Sequence, residues 1–143
     1  MRGNPWNSVP VKVLTTANPA AGADPAAFTA TPAGKVWELQ GAVCVITTDG
    51  TGANRYPYLE INIAGVGNYL YAFQATPVTA TIAGQICSFL TGVTAGGAIG
   101  ASLIYVSPVT SIRLVAGTVV RFRFLNLQGG DDATAAGLYY KEV

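Results

Sequence analysis

The chain of 143 residues contains no histidine. Histidine is the commonest general base in enzymes, a common metal ligand, and the usual partner of serine and cysteine nucleophiles. Its absence argues against hydrolases built on Ser-His or Cys-His pairs, and against cupin-like enzymes, whose metal sites normally use imidazole ligands. We therefore expect no enzymatic activity, no metal site and no cofactor.

Charge is also scarce and unevenly distributed. Charged residues make up 10% of the chain, against about 25% in a typical soluble domain. The net charge is +1, and no Asp, Glu, Lys or Arg occurs from Ile61 to Ile112. So small a net charge provides no field that would attract nucleic acid. A surface with so few charges is unusual for a free monomer and suits a protein that packs against copies of itself or against a scaffold.

Long apolar runs and an export signal are missing as well. No stretch of about 20 predominantly apolar residues is present, and the start "MRGNPWNSVPVKV" lacks the apolar segment of a signal peptide. We therefore expect a protein that is synthesised in a cytoplasm and does not associate with membranes. Cys44 and Cys87 lie in the apolar runs "AVCVI" and "QICSF", so we expect reduced core residues, with a disulfide as the alternative.

What the chain does contain is a series of strand patterns. About eight runs rich in β-branched and aromatic residues alternate with turn signals, and no helical periodicity is present. "YPYLEINIAG" and "YLYAFQAT" predict a hairpin. Long strands with internal glycines, such as Gly41, predict bulges or bends. The pattern predicts an all-β fold, namely a single jelly-roll-like β-sandwich with an extended N-terminal arm.

The N-terminal third has a different composition from the rest. Residues 1–33 are predicted to form an extended arm, with Trp6 as its aromatic anchor, followed by an Ala/Pro-rich link. Pro10 would place the strand that contains Val9 and Val11 at a sheet edge. A short helical turn at Asp24–Phe28 is the alternative to an irregular link. Residues 34–143 are predicted to form the β-sandwich domain.

Two segments carry most of the candidate chemistry. Asp131 and Asp132 are adjacent, so in extended chain they point to opposite faces and cannot share a proton. They also lack the spaced ligands of a calcium loop, which leaves a solvated turn or a salt bridge between subunits.

The second segment is the late strand "TVVRFRFLNL". Alternation places Phe122 and Phe124 in the core, with Arg121 and Arg123 on the other, half-apolar face. Arginine on such a face suits bidentate pairing with a carboxylate of a neighbouring subunit. Single-stranded nucleic acid would need a basic groove beside the aromatic side chains, which the net charge does not support.

The segments "VWELQGAVCVITTDGTGANRYPYLEINI" and "RLVAGTVVRFRFLNLQGGDD" resemble small β-rich structural proteins of tailed bacteriophages. The resemblance covers roughly residues 34–135. It implies a jelly-roll-like capsid decoration, or cement, protein on the outer surface of the phage head, where it would stabilise contacts between major capsid subunits. It also implies a homo-oligomer located in the virion, with a trimer favoured and a dimer possible.

We expect the arm with Trp6 to dock on the capsid or on a neighbouring subunit, and the arginines at positions 55, 113, 121 and 123 to pair with Glu or Asp across subunit boundaries. The expected interface residues are Trp6, Val9, Val11, Arg55, Tyr56, Arg113, Arg121, Arg123, Asp131 and Asp132.

An alternative function is a head-fibre or tail-associated module that binds a receptor or glycan through the loop "DGTGANRYPY" and exposed tyrosines.

Overall fold

The computed structural model describes residues 9–93, 96–99 and 104–143. Trp6, the expected anchor of the arm, lies outside the described residues. Within the described ranges there is no helix, so none is long and apolar enough to cross a membrane. The strands are β1 Lys12–Thr15, β2 Val36–Thr47, β3 Tyr56–Ile63, β4 Gly67–Phe73, β5 Gln85–Leu90, β6 Gly97–Ile99, β7 Ile104–Pro108, β8 Arg113–Val115, β9 Val119–Leu125, β10 Asp132–Ala133 and β11 Gly137–Glu142.

These strands form two sheets. The larger has the order β1-β11-β2-β5-β7-β6, with β8 and β10 also paired to β2, and the smaller has the order β4-β3-β9. The predicted all-β sandwich is confirmed. A jelly roll is not confirmed, because that fold is built from antiparallel Greek keys, whereas β5 and β7 are parallel.

The core lies between the two sheets and follows the alternation of the strands. Leu39 on β2, Leu59 on β3 and Phe122 on β9 are fully buried. The ring centroids of Phe89 and Phe122 lie 5.6 Å apart, which joins β5 of one sheet to β9 of the other. Burying one such side chain contributes about 1.5–3 kcal/mol to the stability of the fold. The alternation of apolar residues in β9 therefore specifies which face of the small sheet packs against the core.

Gly41 marks an irregularity in β2, as the sequence predicted. Tyr139 pairs with Gly41 and Tyr140 with Leu39, so β2 contains one residue more than β11 at this point. A Cβ on Gly41 would lie 2.6 Å from the carbonyl oxygen of Phe89. Glycine is therefore required here because the backbone of β5 approaches closely.

From residue 9 onward, the N-terminal segment packs more closely onto the sandwich than an extended arm would. β1 pairs only with β11 and is an edge strand, as predicted. The link that follows it is irregular, also as predicted, and has no helical turn at residues 24–28. However, Phe28 is 3% exposed and belongs to the core. Its amide donates to the Val120 carbonyl at 2.9 Å, and the Thr31 amide donates to the Thr118 carbonyl at 3.0 Å. The boundary predicted before residue 34 is therefore corrected, because the link packs along β9 onto the same core.

Candidate interaction surface

A buried ion pair holds together the loop after β2 and the loop after β9. The Arg55 side chain is fully buried, and Nε and Nη2 donate to the two carboxylate oxygens of Asp131, each at 2.8 Å. Nη2 also donates to Asp49 Oδ1 at 2.7 Å. Nη1 donates to the carbonyl oxygens of Thr51, at 2.9 Å, and Ala53. All five N–H donors of the guanidinium are thus engaged.

Asp131 accepts further hydrogen bonds from the backbone. The amides of Asp49 and Gln128 donate to it at 3.0 and 2.8 Å. Burial alone raises the pKa of Asp131, but the hydrogen bonds from Arg55 and from these two amides outweigh it, so the pKa lies below its ordinary value. The hydrogen bond to Asp131 in turn raises the pKa of Arg55. The carboxylate is therefore ionised at neutral pH.

This pairing corrects two of the expected interface residues. Arg55 and Asp131 were expected to form ion pairs between subunits, but both side chains are fully buried and pair within one chain. The physical reason is that a buried charge is tolerated only when it is paired and hydrogen-bonded. Asp132 is exposed, so the two adjacent aspartates do point to opposite sides, as predicted.

The arginines of β9 lie on the outer face of the small sheet, as predicted. Arg123 donates from Nε to Asp24 at 3.1 Å and from Nη1 to Glu60 at 3.3 Å. Its pKa is raised, chiefly by the hydrogen bond to Asp24. Arg121 donates to the Pro25 carbonyl oxygen at 3.3 Å. The carboxylates expected from a neighbouring subunit are thus supplied to Arg123 by its own chain, because the link runs along the free edge of β9 and Glu60 lies on the adjacent strand β3.

The other expected interface residues have separate positions. Val9 and Val11 are 45% and 54% exposed and precede β1. Arg113 is exposed on β8, opposite Glu38 of β2. Tyr56 is half-buried at the start of β3, where it stacks on Phe73 with ring centroids 5.5 Å apart. The structure therefore does not bring the expected set together at one site.

An apolar patch on the outer face of the small sheet was not recognised in the sequence. Leu70 is 65% exposed, Phe73 45% and Leu125 49%. Together with Tyr58 they line a shallow cavity of about 210 Å³ whose exposed wall is entirely apolar. The signal was present in β4, "GNYLYAF", which contains no charge. We define the hairpin patch as Tyr56, Tyr58, Leu70, Phe73 and Leu125.

Further apolar side chains are exposed near the tip of the β3–β4 hairpin. Ile63, Val66 and Tyr69 are 38%, 62% and 48% exposed. Ile63 and Tyr69 lie on the opposite face of the sheet from the hairpin patch, because Tyr69 pairs with the buried Ile61. Large side chains exposed singly need no explanation, but contiguous ones, rimmed by polar groups, mark interaction sites. The hairpin patch has such a rim, because Asn62 and Asn68 are hydrogen-bonded beside it at 2.5 Å.

The cysteines occupy neighbouring positions in β2 and β5 and are not bonded to each other. Burial raises the pKa of Cys44 to about 12 and also raises the pKa of Cys87. Both are buried core residues, as predicted. No group of three or more potential metal-ligating side chains occurs in the described part of the chain.

A comparison with models of known protein families and a search of curated protein sequences found no match.

Proposed function

We propose that this chain is a structural protein of a virus particle, a capsid decoration protein on the outer surface of a phage head that stabilises contacts between major capsid subunits. The observation that carries the proposal is the hairpin patch. Leu70, Phe73 and Leu125 remain exposed in the isolated chain, and a partner surface would remove them from water. The resemblance of residues 34–135 to phage structural proteins indicates which kind of particle.

The charged side chains support an adhesive role over a chemical one. Arg55 is enclosed by Asp49 and Asp131, and Arg123 is bound by Asp24 and Glu60. These carboxylates hold loops and the link in place. These four carboxylates are in this way engaged in holding the fold together.

A decoration protein needs two kinds of contact, one with the shell and one with copies of itself. The hairpin patch lies on the small sheet, and a second exposed apolar group, Val9, Val11 and Val13, lies at the edge strand of the large sheet. Repeated binding to many equivalent positions on a shell gives high avidity from modest single contacts. The proposed partners are the major capsid protein and further copies of this chain, as a trimer or dimer.

The direct test is to purify particles from cultures that express the gene and to label them with an antibody raised against the full chain. The proposal predicts labelling over the head and recovery of the chain with intact particles in a density gradient. Recovery of the chain only in the particle-free fraction would contradict it. Particles from a strain that lacks the gene provide the control, and we expect their heads to open at lower temperature.

A second candidate is a glycan-binding module of a head fibre or tail, which one observation favours. A cavity of about 180 Å³ lies at one end of the sandwich, and no charged residue lines it. Thr76 Oγ1 and the Tyr105 hydroxyl are 2.7 Å apart at its wall, and Gln74 and Gln85 also line it. Neutral amide and hydroxyl groups beside apolar surface suit sugars. Binding on a glycan array would support this function, and an empty array would remove it.

A further inference from the structure

The open edges of the two sheets differ in how they are protected. Exposed edge strands invite pairing with another chain, and proteins protect them with short length, charge, proline, bulges or a covering segment. The outer edge of β9 is covered by the backbone of Phe28 and Thr31. β1 has four residues, contains Lys12 and follows Pro10. β6 has three residues.

The edge formed by β4 has little of this protection. The strand has seven residues, "GNYLYAF", with no charged residue and no proline. One bulge is present, because the pairing with β3 shifts by a residue at Tyr71. From Gly67 to Leu70 the strand is regular and its outer edge faces no other strand of the described chain. Of the long strand edges in the described ranges, this one is open.

We propose that a second copy of this chain pairs with β4 across a twofold axis, so that two three-stranded sheets join edge to edge into one sheet of six strands. The two β4 strands would run antiparallel, with Leu70 near the axis. This inference deepens the proposed function and rests on it, because it names the partner that covers part of the hairpin patch.

The chemistry of β4 favours a second copy over another strand edge. A twofold axis places the same surface on both partners, and β4 meets itself without any charge on either side. Pairing β4 with β1 of a neighbour would instead place Lys12 against the uncharged strand. It would also join the subunits head to tail in an open series instead of a closed dimer. The short β6 offers too few backbone groups.

The side chains of β4 also suit a second copy. Tyr69, Leu70 and Phe73 are 48%, 65% and 45% exposed, with Tyr69 on the inner face of the sheet and Leu70 and Phe73 on its outer face. Antiparallel pairing centred on Leu70 would set the two Leu70 side chains directly opposite each other, where side chains of neighbouring strands contact. The pairing would therefore remove part of the apolar surface of β4 from water.

The first test is sedimentation equilibrium of the full chain. We expect a species of about 29 kDa, twice the chain mass of 14.7 kDa. Leu70→Lys, which sets two like charges against each other at the axis, is expected to weaken the pair at least about tenfold, since like charges directly opposite are destabilising. Val115→Lys is the matched control, because Val115 is also exposed (52%) but lies on β8. It should leave the dimer intact.

The second test does not depend on weakening the protein. Residues opposite each other in antiparallel strands have Cα atoms about 4.5–5.5 Å apart, within the range of a disulfide. Leu70→Cys should therefore give a covalent dimer on mild oxidation, whereas Val115→Cys should not. Circular dichroism of each variant shows whether the fold is retained.

The outcomes separate this inference from the proposed function. A monomer at all concentrations, or a trimer of about 44 kDa, three times the chain mass, would overturn the twofold pairing but leave attachment to particles untouched. A dimer unaffected by Leu70→Lys and not cross-linked by Leu70→Cys would overturn the assignment to β4. A β4 dimer that does not bind particles would support the pairing and contradict the proposed function.

Discussion

The buried pair of Arg55 and Asp131 offers the sharpest test of how the fold is held together. Asp131→Asn keeps the shape of the side chain but removes its charge. One carboxylate oxygen that accepts from Arg55 becomes an amide donor, which faces another donor, and the guanidinium is left buried without its full partner. Breaking a buried pair in this way costs about 3–5 kcal/mol, a large part of the about 5–15 kcal/mol that stabilises a typical domain.

The assay is urea denaturation followed by circular dichroism at pH 7. We expect the midpoint to fall strongly for Asp131→Asn and much less for Glu142→Gln, whose salt bridges with Lys12 and Lys35 lie at the surface. A loss below about 1 kcal/mol for Asp131→Asn, the value of an exposed ion pair, would refute the reasoning.

The stability lost in Asp131→Asn depends on pH. The pKa of Asp131 in the folded chain lies below its ordinary value of 3.8, so the ionised carboxylate favours folding. Its contribution is complete above pH 3.8 and is lost as the pH falls through the folded-state pKa. The difference in the free energy of unfolding between the wild type and Asp131→Asn should therefore narrow below that pH. A difference that stays constant on acidification would contradict the assignment.

Three further predictions concern the core. Gly41→Ala should lower stability by about 1–3 kcal/mol in urea denaturation, because the new Cβ overlaps the β5 backbone. Gly50→Ala is the control and should not lower stability, since the space around Gly50 is open. Equal losses in the two variants would contradict the close approach of β5 to Gly41. Phe28→Ala should lower the free energy of unfolding by about 3–5 kcal/mol in the same assay. A loss under about 1 kcal/mol would show that the link is a loose arm and that Phe28 does not contribute to the core. Cys44 and Cys87 should resist a thiol reagent at pH 8 until urea unfolds the chain, and rapid labelling of the native protein would show that they are not enclosed.

Local patterns predicted the elements whose faces differ most. In β9, Phe122 and Phe124 are internal and Arg121 and Arg123 are external, because alternation in a strand leaves only one choice of face. The hairpin of β3 and β4 and the bulge at Gly41 were predictable for similar reasons, since each depends on a few neighbouring residues.

Pairings between distant segments could not be predicted in this way. Arg55 and Asp131 are 76 positions apart, and nothing in either neighbourhood shows that the two loops meet. The same holds for Asp24, which reaches Arg123 only because the link runs along the edge of β9. The composition of residues 17–33 predicted an irregular link correctly, but not that Phe28 fills a space in the core.

The hairpin patch was missed for another reason. "YLYAF" fits a strand with one buried face equally well, and only the structure shows that Leu70 and Phe73 have no layer above them. The absence of charge from Ile61 to Ile112 predicted a contact surface in general terms. Its position on the outer face of the small sheet depends on how the two sheets stack.

The central claim is that this chain decorates a virus head, and one measurement tests it most directly. Electron cryomicroscopy of intact particles at low resolution, with and without the gene, locates the density that the chain contributes. The account predicts density repeated regularly over the head surface. Density confined to a single vertex or to the tail, or no difference between the two particles, would contradict it.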